Sequence, residues 1–133
     1  MLLSARPLRD VQSVNSFRYA NQIQFTEGDV LTFHFQLIDA SLDRSDEGYN
    51  PPGRRYMPAA GAVLTVTLDS INTVKKITRV ATQPFTNDPS IWAVSIMSTD
   101  VVRGTIPLKF SLNEAGRVTN GMVNNFIMVS SAV

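Results

Sequence analysis

Between Gly104 and Val129 the chain reads GTIPLKFSLNEAGRVTNGMVNNFIMV, and in its first half Ile106, Leu108, Phe110 and Leu112 fall on every second position. Thr105, Pro107, Lys109 and Ser111 lie between them, so the stretch has one apolar and one polar face at the two-residue period of a half-buried strand. Asn113, Glu114, Ala115 and Gly116 supply turn chemistry and Gly121 a second break. Met122 to Val129 is an apolar run between polar residues, which reads as a return strand buried more nearly on both faces. The unit is expected to be a β-hairpin with a long tip, and it rules out a helical fold for this part of the chain.

The same period recurs upstream. Leu31, Phe33, Phe35 and Leu37 alternate with Thr32, His34 and Gln36; Leu64, Val66 and Leu68 with Thr65 and Thr67; Trp92, Val94 and Ile96 with Ala93 and Ser95. Tyr19 to Thr26 alternates more weakly, and with Glu27-Gly28-Asp29 as a turn it is expected to form an opening hairpin with Leu31 to Leu37. Lys76 to Thr82 is more polar, as expected of an edge strand, and Gln83 to Ser90 carries two prolines and reads as a connector. Ser98, Thr99 and Asp100 are good helix caps, and a single helical turn ending at Gly104 is expected there. Residues 1–19 show no sustained period and are expected to be an N-terminal arm or a first strand. The expected fold is all-β: a single antiparallel β-sandwich, immunoglobulin-like or a small barrel, of about seven or eight strands over residues 20–133 with one long loop.

At 133 residues the chain suits one domain, long enough for its own core without a metal or disulfide. Charged residues are 17% against the ~25% usual for soluble domains, so part of the surface is expected to be covered by another chain. Twelve basic and eleven acidic residues give a net charge of +1, which argues against a nucleic-acid groove. No cysteine is present, which excludes disulfides, thiolate metal sites and cysteine nucleophiles. The start, MLLSARPLRD, is too short in apolar residues for a signal-peptide core, and no run approaches the ~20 residues of a membrane helix, so no export and no membrane partner are expected.

The loop 39–61, DASLDRSDEGYNPPGRRYMPAAG, holds three prolines, three glycines and charges of both signs. Connections beyond ~12–15 residues are uncommon in compact domains and tend to be functional or disordered, which makes this insertion the place to look for an interaction. Its Tyr49, Arg54, Arg55 and Tyr56 gather aromatic and cationic groups of the kinds enriched at protein interfaces, and are expected to form a contact site. Asp39, Asp43, Asp46 and Glu47 lack the regular spacing of a calcium loop and are expected to be solvated charges, as are Glu27 and Asp29. His34, the single histidine, has no nucleophile or carboxylate placed by spacing to act with it and is expected to be structural. Trp92 is expected in the core. With no nucleophile and base paired, no enzyme activity, cofactor or metal is expected.

Phe25-Thr26-Glu27-Gly28-Asp29 ahead of Leu31-Thr32-Phe33-His34-Phe35-Gln36-Leu37-Ile38-Asp39, then Gly61 to Leu68, then Thr99-Asp100 ahead of Gly104 to Phe110 and the closing hairpin, resembles the small β-sandwich domains of tailed-bacteriophage virion proteins. The similarity is to the N-terminal domains of upper-baseplate and tail-tip components, and it covers residues ~23 to 129. It implies a structural protein of the tail, neck or baseplate, in a virion assembled in the host cytoplasm. Its implied partners are other virion proteins and copies of itself, as a homo-oligomer in a symmetric assembly, and it carries over no catalytic residues. A capsid decoration protein is the alternative within that class. A carbohydrate-binding module is the second alternative, and would need exposed aromatics on one face, whereas aromatics are 8% of the chain and most fall on inward positions.

Overall fold

The computed structural model describes residues 2–13, 16–26, 31–41, 54–69, 76–96 and 104–130. Among these it is all-β and holds ten strands: β1 (Leu3–Ser13), β2 (Ser16–Tyr19), β3 (Ile23–Thr26), β4 (Leu31–Asp39), β5 (Arg54–Arg55), β6 (Val63–Asp69), β7 (Lys76–Val80), β8 (Ile91–Ile96), β9 (Gly104–Glu114) and β10 (Arg117–Ser130). Eight of them, β3 to β10, lie within residues 20–133, where seven or eight are expected, and β1 and β2 come from residues 1–19. The first sheet runs β2-β1-β4-β5, with β8 also pairing β4; the second runs β3-β10-β9-β6-β7. The sheets pack as a sandwich curled towards a half-barrel, and at one corner they are joined: Thr82 donates its N–H to the Ala93 carbonyl and accepts that of Ala93.

The inward positions of both sheets meet in one core that includes Phe33, Phe35, Trp92, Leu108 and Phe110, as their alternation requires. Phe126 binds the layers together, its ring 6.1 Å from that of Phe33 and 6.0 Å from that of Phe35. Such edge-to-face contacts add to the area buried.

Three expectations are corrected. The opening hairpin does not form: β4 pairs with β1, Leu8 opposite His34, and β3 pairs in parallel with β10, Ile23 opposite Ile127. Alternation selects a face and not a partner, and β1 offers β4 six paired positions. Residues 3–13 are accordingly a strand with Leu3, Ala5 and Leu8 buried. The tip of the closing hairpin is not long, because Ala115 and Gly116 turn it alone, with φ of 53° and 92°. That is the signature of a tight turn matching the strands' own twist. Gly121 is not a break but the middle of β10, opposite Phe110. A Cβ there would overlap the Phe110 ring, so the glycine makes room for a core aromatic. The irregularity in β10 falls instead between Val123 and Ile127, where Asn125 has φ 55°. Amide side chains tolerate that conformation better than most, and the bulge turns Phe126 and Ile127 into the core. The turn expected at Ser98 to Gly104 lies outside the described residues up to Arg103.

Candidate interaction surface

The long loop folds in part onto the domain. Arg54 and Arg55 form β5 against Asp39 and Ile38, and Arg55 reaches Asp88 at 3.4 Å. Tyr56, packed against the core, donates its hydroxyl to Glu114, whose carboxylate also accepts the Ala59 N–H at 3.0 Å and an Arg117 N–H at 3.0 Å. Burial pushes the Glu114 carboxyl upward, but the hydrogen bonds from Ala59, Tyr56 and Arg117 outweigh it and hold the group below its ordinary value. Burial and the adjacent carboxylate push the Tyr56 hydroxyl up. Of the four residues expected to form a contact site, Arg54 and Arg55 are thus paired to β4 and Tyr56 is bonded to Glu114, and Tyr49 lies outside the described residues. In the sequence Glu114 carries only a turn signal, and it is the contacts from Tyr56 and Ala59 that make it a buried residue.

Asp39 is also buried, and its Oδ1 accepts the N–H of Leu2 at 3.0 Å and both the N–H and hydroxyl of Ser41. Asp43, Asp46, Glu47, Glu27 and Asp29 lie outside the described residues, and among those described no three potential ligands gather around a metal position. His34 stands half-buried on the outer face of the first sheet, where burial holds its imidazole below the ordinary 6.5. Trp92 is in the core.

A different surface comes together on the outer face of the second sheet. Strand register places Val63, Asn113 and Val118 in one row, Val80, Thr65, Ser111 and Asn120 in the next, and Thr78, Thr67, Lys109 and Met122 in a third. Four of the six exposed large apolar side chains of the described residues stand in these rows: Val63 (48%), Val80 (64%), Val118 (54%) and Met122 (54%). Charge is confined to one end, where Lys109 lies 3.8 Å from Asp69 and Lys76 pairs with Asp69 across the strands. The face is hollowed by a shallow concavity of about 500 Å³ over Gly121, with Thr65, Ser111 and Met122 on its walls. The alternation of β6 and β10 contained this surface, because Val63, Val118 and Met122 occupy their outward positions. It was hidden by the reading of Met122 to Val129 as a buried run. Small hydroxyl and amide side chains ringed by valine and methionine can exclude water against another protein with few charges to desolvate. They offer nothing to drive bond chemistry. No protein-family model, no curated protein and no solved structure matches the chain.

Proposed function

We propose that the protein is a structural subunit of a bacteriophage virion, a component of the tail, neck or baseplate that works by binding copies of itself and other virion proteins. The resemblance of its strand motifs supplies the virion context. The observation that carries the binding role is the concentration of exposed Val63, Val80, Val118 and Met122 on one weakly charged sheet face. Each such side chain contributes up to about 1.5–3 kcal/mol when fully buried against a neighbour. Scattered over the molecule they would need no explanation, but gathered on one face they mark a surface suited to being covered.

The test has two arms. Mass spectrometry of purified particles should find this chain at a fixed copy number, and its absence would remove the virion reading. The double substitution Val118→Glu, Met122→Glu should leave a folded monomer, since both side chains are exposed, yet block incorporation by burying unpaired charge. Normal incorporation would move the binding role away from this face.

A further inference from the structure

β7 is the last strand of the second sheet, and one of its sides is an edge. Ala81 directs its N–H to the Leu64 carbonyl of β6, whereas Thr82 exchanges both backbone bonds with Ala93 on the opposite side. In an antiparallel pair these directions alternate along the strand. Ile77 and Arg79 therefore bond towards β6, while Thr78 and Val80 direct N–H and C=O away from it, to the side that β8 meets at Thr82. Beyond that bridge no strand among the described residues pairs with β7 on this side. A row of backbone groups aimed outward in this way is a template for another chain.

Arg79 stands against that use of the edge. Its register partner is Val66, a core residue, so it occupies an inward position of the sheet. The residue is nevertheless exposed, because its guanidinium turns out to the edge, where Nη1 donates to the Thr78 carbonyl at 3.1 Å. We infer that Arg79 closes the β7 edge to strand addition by a second copy of the chain. A second copy would otherwise fit: antiparallel pairing of two β7 strands about Thr78 sets Lys76 against Val80 and Ile77 against position 79, so Lys76 opposes no like charge and does not itself forbid the pairing. Arg79 forbids it in two ways. It holds the carbonyl that the N–H of the other Thr78 would need, and pairing would lay its charged group beside Ile77 of the other copy, which packs on the core, where an unpaired charge is costly to bury. A charged residue at an inward position is one of the means by which edge strands are kept from pairing. The edge is separate from the outer face argued above, so the two readings fail separately.

The test uses the full chain carrying Val118→Glu, Met122→Glu, which removes the outer face as a source of association, with and without Arg79→Val. Sedimentation velocity and amide hydrogen exchange are read across a concentration series. With Arg79 in place the chain should stay monomeric and the Thr78 and Val80 amides should exchange fast. Arg79→Val should give a dimer that grows with concentration, and in it both amides should slow by about ten-fold or more. Arg79→Thr, which also removes the charge and the cap on the carbonyl, should do the same. Valine and threonine both suit a strand, so the melting temperature should not fall in either variant. Variants that stay monomeric with unchanged exchange overturn the inference. So does slowed Val80 exchange in a monomer, which would mean that β8 closes on β7 within one chain and that Arg79 holds that seam apart. A dimer with protected Thr78 while Arg79 is still present overturns it as well, since the edge would then be open already.

Discussion

The outer faces of the two sheets are built from the same alternating strands and end up in opposite states. On the first sheet the outward positions Gln36, Ile38, Ile91 and Ala93 are buried. A hydrogen-bonded chain runs through them, from the Tyr19 hydroxyl to Gln36, from Gln36 to Ser90, from Ser90 to Asp88, with Arg55 completing the Asp88 carboxylate. On the second sheet the outward positions carry Thr65, Thr67, Ser111 and Asn120 between exposed valines and a methionine, with no strand laid over them among the described residues. The contrast follows from where the chain lays its own connecting segments. β5 and connector 83–90 are laid against the first sheet, while the Tyr56 hydroxyl and the Ala59 N–H reach Glu114 at the hairpin end of the second, which leaves the outer face of the second sheet as the one another molecule can cover.

The sharpest way to break this contrast is to truncate one apolar residue on each face. Ile91 is fully buried at an outward position of the first sheet, so Ile91→Ala should cost about 2–5 kcal/mol of unfolding free energy. Met122→Ala on the second sheet should cost less than about 0.5 kcal/mol in the isolated chain. Denaturant midpoints measure both, and similar losses would show that the two faces are equally structural.

Gly121 tests whether the second sheet is held from inside. Because a Cβ would overlap the Phe110 ring, Gly121→Ala should destabilise by about 1–3 kcal/mol as the ring is displaced, although alanine normally suits a strand better than glycine. A neutral or stabilising result would mean that Phe110 does not lie over the glycine.

These residues also show how far the sequence could be read. Trp92, Phe33, Phe35, Leu108 and Phe110 were placed in the core by their period alone, because a two-residue alternation with one face buried leaves no other assignment. The partner of β3 was not legible, since Ile23 satisfies the core equally from either sheet. Neither was the reason for Gly121, which depends on a ring eleven residues away in sequence and opposite in register. Of the candidate site, Val118 and Met122 were visible as residues but not as a face, because a face requires knowing that β10, β9, β6 and β7 stand side by side. Glu114 could be seen as charged and near a turn, but not as buried, for its partners Tyr56 and Ala59 arrive from the far end of the long loop.

That carboxylate makes the latch between loop and hairpin dependent on pH. Its folded pKa lies below the ordinary 4.5, so the stability it contributes is present above that value and is lost as pH falls through the lower folded pKa. Asp39, held below its ordinary 3.8 by Ser41 and Leu2 against the opposing effect of burial, adds in the same direction. Glu114→Gln should cost about 1–2 kcal/mol at pH 7, where charge-assisted hydrogen bonds become neutral ones. The gap between variant and parent should close on acidification below 4.5. A constant gap down to pH 2 would mean that the charge of Glu114 contributes nothing, and urea titrations across the range decide it.

The smallest effect expected is a gain. Ala115 turns the β9–β10 hairpin at φ 53° with Gly116 after it at 92°, and an L-residue with a Cβ pays for that conformation. Asparagine tolerates it better, and Asn-Gly is the pair such two-residue turns favour. Asn113 already braces the turn by accepting the Gly116 N–H at 2.9 Å, so the substitution disturbs no existing contact. Ala115→Asn should raise stability by about 0.5–1 kcal/mol, seen as a melting temperature a few degrees higher. Because the exposed turn lies beyond the row of Val63, Asn113 and Val118, the variant should assemble like the parent. Paired with the Val118→Glu, Met122→Glu variant, it separates the two properties: one change moves stability and leaves assembly alone, the other does the reverse. Loss of assembly in the stabilised variant would extend the binding surface to the hairpin tip.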